Sequence, residues 1–181
     1  MMRFTSLLAF VAGAGAIAIV VLRVMPTRGA RAVLAGIYDG ALWLAWLVAA
    51  VAMAGSLYFS ESAGFIPCRY CWFQRIAMFS LVVVLFVGAL RRDRDVRWYA
   101  VPLAGFGMVI SIYHYIIEWH PQLEGGSCEV FAPCTTPYFR EFGFVTLALM
   151  AMCGFAAILA LLLLPRALPF EPDSAPLEDQ S

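Results

Sequence analysis

The chain has 181 residues, of which 63% are hydrophobic, and its mean hydropathy is +0.84. Soluble domains are about 45–50% apolar, so this composition excludes an ordinary soluble domain and is typical of a membrane protein. The net charge is zero and all twelve basic residues are arginines, which argues against the strongly basic surface of a nucleic-acid-binding protein.

Five stretches of the chain are long, apolar and almost free of charged residues: 4–22, 33–59, 76–90, 98–117 and 142–164. About 20 apolar residues in a helix cross ~30 Å of hydrocarbon, and a helix satisfies its own backbone hydrogen bonds in lipid. The third stretch reaches this length only if its helix starts near Trp72 and includes Arg75. The sequence therefore predicts an all-α integral membrane protein.

The first stretch, within residues 1–24, has three interpretations. Arg3 followed by an apolar run is also found in secretory signal peptides. Cleavage there would turn the arginine-rich loop after the third stretch outward, so we expect a retained N-terminal helix instead. Residues 1–24 can also lie upstream of a true start at Met25, and the sequence does not separate this possibility from a retained helix.

The connections between the stretches predict the orientation of the protein. The first and third connections are rich in arginine, with Arg23, Arg28 and Arg31 in one and Arg91, Arg92, Arg94 and Arg97 in the other. The positive-inside rule places both in the cytoplasm, so the loops 60–71 and 118–141 lie outside. The segment 165–181 is rich in Pro, Asp and Glu and is predicted to be a disordered cytoplasmic tail.

Four of the five cysteines fall in the two outer loops, as Cys68 with Cys71 and Cys128 with Cys134. The orientation, derived without them, puts all four on the oxidising side of the membrane, where disulfides persist. Four thiolates are also a zinc-binding set, but such sites are more typical of reducing compartments. Cys153 lies within the last apolar stretch, where a cysteine is usually a small packing residue.

Cys68 and Cys71 form a Cys-X-X-Cys pair next to the start of a predicted helix. The partial positive charge of a helix N-terminus favours a thiolate, which suits a redox pair. Arg75 follows Cys71 by four residues and shares its helix face. Its guanidinium can hydrogen-bond a quinone oxygen and stabilise negative charge there, or it can reach lipid headgroups as a membrane anchor. His114, at the outer end of the fourth stretch, is a candidate for the same quinone pocket or a packing residue.

The second pair is separated by five residues, enough to close a disulfide if the Cα atoms come within about 7 Å. Taken alone, Cys128–Cys134 is equally well explained as a structural disulfide that fixes an outer loop. Beside a second pair at the membrane edge, a redox role gains weight, because a relay of electrons needs two pairs.

Five short segments have a familiar pattern: GSLYFSE (55–61), PCRYCWFQR (67–75), YHY (113–115), PCT (133–135) and FGFVT (142–146). Together they resemble the DsbB family, and most closely its BdbC-like branch, over residues 31–164. The resemblance implies a four-helix transmembrane bundle in the bacterial inner (cytoplasmic) membrane, with both cysteine pairs outside and the C-terminus inside. Residues 1–24 would then form an additional transmembrane helix that has no counterpart in the four-helix pattern.

The resemblance also implies an activity. A thiol:quinone oxidoreductase of this kind reoxidises a DsbA-like extracytoplasmic thiol oxidase and passes the electrons to ubiquinone or menaquinone, with no metal. By motif, Cys71 is the thiolate beside the quinone, Cys68 its disulfide partner and Arg75 the quinone-side arginine. Cys128 resembles the cysteine attacked by the partner, and Cys134 the one that relays to Cys68, with Cys128–Cys134 as the second redox disulfide.

One departure and one rival interpretation remain. The loop cysteines are closer in sequence than in the enterobacterial type, so partner docking can differ. The rival is a non-enzymatic membrane protein, such as a transporter subunit or assembly factor, with two structural disulfides. Charged residues inside the helices would favour it, and only Asp39 and Arg75 qualify.

Overall fold

The computed structural model describes residues 2–25, 27–126, 128 and 132–164, so the predicted tail 165–181 lies outside the described residues. Its five α-helices are α1 (Met2–Val24), α2 (Arg28–Leu57), α3 (Arg69–Arg91), α4 (Arg97–Trp119) and α5 (Leu147–Leu162). Within the described ranges there is no β-strand, only an isolated bridge between Glu141 and Val145. The predicted all-α fold is confirmed.

In the described part of the chain, four helical segments are long and apolar enough to cross a membrane: Arg3–Val24, Arg28–Ser62, Arg69–Arg91 and Arg94–Trp119. The fifth helix, α5, has 16 residues and is shorter than the predicted stretch 142–164. Sixteen residues rise about 24 Å, slightly less than the hydrocarbon thickness. The chain is therefore a multi-pass membrane protein with four or five spanning helices.

Two helix boundaries position the loop between α2 and α3. α2 ends in a π-helical turn, Tyr58–Ser62, which carries the chain to the segment before Cys68. α3 begins at Arg69, three residues before the start that we expect from length, with Cys68 as its N-cap. The Cys68 sulfur accepts a hydrogen bond from the Cys71 backbone N–H. Both cysteines therefore lie at the N-terminus of a membrane helix, as the sequence predicts, although the helix already includes Cys71.

The core is formed by α2, α3, α4 and α5, with α1 packed on the outside against α5 and α2. Small side chains let the helices approach closely, a feature that drives helix association in lipid. The small residues are Ala41, Ala45 and Ala49 on α2 and Ala100 and Ala104 on α4. Large side chains from α3 and α5 fill the remaining space, and they are Leu81, Leu85, Phe155 and Ile158. α1 runs parallel to α5, because Phe10 contacts Phe144 at one end and Arg23 bonds the Leu163 carbonyl at the other.

The contact between α4 and α5 makes a test of this bundle. A Cβ atom added at Gly107 would overlap the ring of Phe155, which is fully buried, whereas one added at Gly105 meets nothing within 4 Å. We expect Gly107→Ala to destabilise the bundle by about 1–3 kcal/mol through overpacking. Gly105→Ala should be neutral or stabilising by up to about 1 kcal/mol, since alanine is the better helix former. Loss of helical circular dichroism during titration of detergent micelles with sodium dodecyl sulfate measures both, and equal midpoints would contradict the packing.

Candidate functional site

The two cysteine pairs meet in one apolar cluster at one end of the bundle. Its buried members are Cys68, Tyr70, Ile117 and Cys134, and partly buried neighbours include Cys71 and Cys128. The cluster joins the start of α3, the end of α4 and the loop between α4 and α5. The structure therefore brings together all four cysteines that the sequence singles out.

Aromatic contacts hold the loop between α4 and α5 against the loop between α2 and α3. The ring of Tyr138 stacks on Phe65 with centroids 4.3 Å apart, and its hydroxyl donates to the Ile66 carbonyl at 2.8 Å. Phe139 packs on Phe59 at the end of α2. These contacts place the loop that carries Cys134 beside the turn that carries Cys68.

Cys68 has the surroundings of a stabilised thiolate. Its sulfur lies 3.1 Å from the Cys71 sulfur, 3.4 Å from the Cys71 backbone nitrogen and 3.6 Å from Nε2 of His114. The hydrogen bond with the Cys71 thiol, followed by the contact with His114, lowers the pKa of Cys68 below its ordinary value, although burial of the sulfur opposes the shift. A low pKa makes Cys68 a good leaving group and keeps it charged at neutral pH.

Cys71 and Arg75 line a cavity of about 380 Å³ among α1, α2, α3 and α5. The Arg75 side chain donates from Nε to the Ser56 hydroxyl at 2.9 Å and from Nη2 to the Ser56 carbonyl at 2.8 Å. Its guanidinium also lies 5.4 Å from the centre of the Trp72 ring. Arg75 is therefore held between α2 and α3 at the cavity, and these contacts favour a site residue over a headgroup anchor.

The cavity suits a flat, mostly apolar molecule with polar oxygens. Most of its lining side chains are apolar, and the polar ones are Thr5, Ser56, Ser60, Cys71, Gln74, Arg75 and Tyr138. Small-molecule sites typically have volumes of about 300–1,000 Å³ and combine an apolar lining with a few polar groups. The cavity at Cys71 meets both conditions.

Cys128 and Cys134 are joined by a disulfide with a Cα–Cα distance of 5.9 Å. The two cysteines differ in exposure, because Cys134 is 2% exposed whereas Cys128 is only partly buried. The Cys128 backbone N–H donates to the Glu124 carboxylate at 2.8 Å. Of this pair, Cys128 is thus the more accessible sulfur and Cys134 the one packed beside Cys68.

His114 is not among the residues that line the cavity, so its role in a quinone pocket stays a prediction. Its ring is 3% exposed and lies between Cys68 and Gln74, with Nδ1 3.4 Å from the Gln74 side-chain nitrogen. The reason is the facing of α4, which directs His114 towards the N-terminal turn of α3 rather than towards α1 and α2. His114 therefore lies beside the Cys68–Cys71 pair.

Glu118 is a buried acid that the sequence analysis does not single out. It is 4% exposed, and its carboxylate accepts a hydrogen bond from the Thr146 hydroxyl at 2.6 Å and lies 3.9 Å from His114. The i, i+4 spacing with His114 was the available signal. Thr146 is also the N-cap of α5, so this contact ties the end of α4 to the start of α5.

Cys68, Cys71 and His114 also form a possible set of metal ligands. The ligand atoms of Cys68, Cys71 and His114 all lie within 4.8 Å of one another, a spacing that a thiophilic ion could bridge. The four-thiolate zinc site considered above is a different set, and two of its sulfurs are joined in the Cys128–Cys134 disulfide. The arrangement of Cys68, Cys71 and His114 is equally that of a redox cysteine pair with a histidine beside it as an acid–base group.

The chain matches the family model described as disulfide bond formation protein DsbB over residues 38–165. It is 42% identical over 119 residues to disulfide bond formation protein C of Bacillus subtilis, covering 65% of this chain and 86% of that protein. It is 45% identical over 115 residues to probable disulfide formation protein C of Halalkalibacterium halodurans, covering 62% and 83% respectively.

A probable disulfide formation protein of Oceanobacillus iheyensis is 37% identical over 128 residues, covering 70% of this chain and 88% of that protein. No solved structure shows a significant match. The family model covers more than half of the chain and includes α3, α4, α5 and both cysteine pairs. The expected resemblance is confirmed, and the chain belongs to the DsbB family of disulfide bond formation proteins.

Proposed function

We propose that this protein is a thiol:quinone oxidoreductase that reoxidises a DsbA-like extracytoplasmic thiol oxidase and delivers the electrons to a membrane quinone. The observation that carries the proposal is the position of Cys71. Its side chain lines the apolar cavity, while Cys68, 3.1 Å away, belongs to the cluster that contains the loop disulfide. The Cys-X-X-Cys pair thus connects an exchangeable disulfide to a small-molecule pocket.

The relay begins at the more exposed loop sulfur. A thiolate of the partner attacks Cys128 and displaces Cys134 as a thiolate, and the partner's second thiolate then attacks its own sulfur and displaces Cys128. The partner leaves as a disulfide and the loop pair is left as a dithiol. The burial of Cys134 supports Cys128 as the attacked residue, because a docked protein reaches the exposed sulfur first.

The second exchange takes place between the two pairs. The Cys134 thiolate attacks Cys68 in the Cys68–Cys71 disulfide, which expels Cys71, and Cys128 then attacks Cys134, which expels Cys68. The loop disulfide is restored and Cys68 and Cys71 are reduced. The low pKa of Cys68 favours its departure in the last step, and His114 is placed to exchange its proton.

Re-formation of the Cys68–Cys71 disulfide releases two electrons and two protons. A quinone supplies an acceptor for both when it is bound. Arg75 and Ser56 would hold the acceptor's oxygen, since a charge-assisted hydrogen bond stabilises negative charge developing there. The S–S bond between Cys68 and Cys71 would close as their two electrons and two protons pass to the quinone, which would leave as the quinol, and the apolar lining would exclude water from this step. Ubiquinone and menaquinone both satisfy this scheme.

The membrane arrangement belongs to the same proposal. We place the protein in the bacterial inner membrane with both cysteine loops outside and the C-terminus inside, because arginines crowd the opposite ends of the helices. Arg94 is one of these arginines; it donates to the Tyr38 carbonyl at 2.6 Å and lies over the Tyr38 ring. Residues 31–164 would form the family's membrane domain and residues 1–24 an additional span.

Anaerobic mixing tests the activity. The purified protein is combined with an excess of a reduced DsbA-like oxidase and a quinone, and quinone reduction is followed by absorbance. We expect one quinone to be reduced for each partner disulfide formed, over many turnovers. Partner oxidation that stops at the protein's own disulfides, with no change in the quinone, would contradict the proposal.

Replacement of Arg75 by methionine should weaken the quinone site selectively. A charge-assisted hydrogen bond is worth roughly 1.5–3 kcal/mol, so KM for the quinone should rise by about tenfold to a hundredfold. Exchange with the partner in the absence of quinone should be unchanged, because Arg75 lies at the cavity and outside the cluster of cysteines. Steady-state titration of the quinone measures the first effect, and single-turnover mixing measures the second.

Arg69→Met is the matched control for this substitution. Arg69 lies at the same end of α3 but does not line the cavity. Its replacement removes the same charge from the membrane edge, so it should leave KM for the quinone within about twofold of the wild type. Equal effects of the two substitutions would return Arg75 to the role of a lipid-headgroup anchor.

A further inference from the structure

The N-terminal helix contributes a wall to the cavity at Cys71. α1 lies outside residues 38–165, the part matched by the family model. Five of its residues nevertheless line the cavity that Cys71 and Arg75 also line; they are Thr5, Leu8, Ala9, Val11 and Ala12. The pocket of this chain is therefore completed by an element that is not part of the matched four-helix domain.

α1 is fixed against α5 at three levels. Near its outer end, Phe10 contacts Phe142 and Phe144 with centroid distances of 6.0 Å. In the middle, the backbones approach closely, because a Cβ atom at Gly13 would lie 3.1 Å from the Cys153 sulfur. At the inner end, the Arg23 guanidinium donates to the Leu163 carbonyl at 3.0 Å. The wall is thus held in place by packing along the helix.

The chemistry of the cavity changes from one side to the other. Arg75, Ser56 and Cys71 form a polar region on α2 and α3, whereas the lining from α1 is aliphatic apart from Thr5. Lining residues on both α1 and α2 are exposed, with Val11 69% and Leu47 51% accessible, so the cavity opens between these helices. In a bilayer this opening faces lipid chains.

We propose that α1 forms a subsite for the apolar tail of the quinone, which enters and leaves between α1 and α2. This inference rests on the proposed function and extends it to the choice of substrate. Ring recognition by Arg75 is the same for long-tailed and tail-less quinones, whereas only a tail gains from apolar contact with α1. The protein should therefore prefer quinones with an isoprenoid tail, and α1 should supply that preference.

A pair of substitutions on α1 tests the subsite in the full-length protein. Ala12→Phe fills the cavity lining, and Ala14→Phe places the same ring on an exposed position two residues away that does not line the cavity. We expect Ala12→Phe to raise KM for a long-tailed quinone by about tenfold, because the added ring fills space that the tail would occupy; tenfold corresponds to about 1.4 kcal/mol. KM for a tail-less quinone should change less than about twofold, and Ala14→Phe should alter neither value.

Photolabelling of the wild-type protein in lipid nanodiscs gives a readout independent of turnover. A quinone with a diazirine on its tail should label the peptide that contains residues 5–12, and excess unmodified long-tailed quinone should prevent the labelling. Labelling confined to α2–α5, or equal effects of Ala12→Phe on both quinones, would overturn the subsite. So would labelling of this peptide by a diazirine phospholipid that excess quinone does not displace. Failure of the wild type to reduce either quinone would overturn the proposed function itself.

Discussion

Replacement of Cys134 by serine is expected to convert the protein into a trap for its partner and to abolish turnover. In the proposed relay, Cys128 forms the mixed disulfide with the partner, and the Cys134 thiol can reverse it by attacking Cys128. Without Cys134, Cys128 attacks the partner's disulfide and forms a mixed disulfide that only the partner's own second thiol can reverse. A covalent complex should appear on a non-reducing gel and disappear on reduction. The helix bundle should remain folded, because the loop lies outside its core.

The matched control is Cys128→Ser, which leaves the other loop sulfur free. Cys134 is 2% exposed and packed in the cluster with Cys68, so this variant should capture far less partner. Using a partner that retains only its nucleophilic cysteine, activated as an aromatic disulfide, removes the reverse reaction from the comparison. If the loop pair were a structural staple, Cys134→Ser would mainly lower stability by about 2–4 kcal/mol and capture no partner.

The helices were predictable because their signal is local. Long apolar runs require no knowledge of neighbours, and all five predicted stretches contain a helix. The exception is the start of α5, where residues 142–146 are as apolar as a helix but form a turn. Phe142 and Gly143 have positive φ values of 54° and 82°, and Val145 bridges back to Glu141. The hydrophobic pattern alone does not distinguish an apolar segment that forms such a turn from one that forms the first turn of a helix.

The candidate site was predictable only where its residues are close in sequence. The spacing of Cys68, Cys71 and Arg75 along one helix places them together, and the structure agrees. The contacts of Arg75 with Ser56 and of Gln74 with His114 join residues 19 and 40 positions apart, so they depend on how the helices pack. The motif, which by resemblance makes Cys71 the thiolate beside the quinone, does not reveal that hydrogen-bonding groups of the folded protein surround Cys68.

Replacement of Cys68 by serine is expected to separate the two halves of the relay. The loop disulfide remains, so the variant can still exchange with a reduced DsbA-like partner through Cys128. Electrons then have no route onward, because Cys134 lacks the sulfur that it attacks in the second exchange. In the presence of excess quinone, each molecule of Cys68→Ser should oxidise at most one equivalent of partner, whereas the wild type continues for many turnovers.

Quenching with acid and trapping free thiols with a maleimide polymer measures the number of partner disulfides formed per protein molecule. Cys153→Ser is the control, since Cys153 lies in α5 outside the cysteine cluster, and it should behave as the wild type in this assay.

Continued turnover by Cys68→Ser would mean that electrons reach the quinone without the Cys-X-X-Cys pair, and the relay would be wrong. Complete loss of even the first equivalent in a folded protein would mean that the loop disulfide does not exchange by itself. A stop at one equivalent is the outcome that only two pairs acting in series explain, since independent structural disulfides would give either no exchange or no dependence on Cys68.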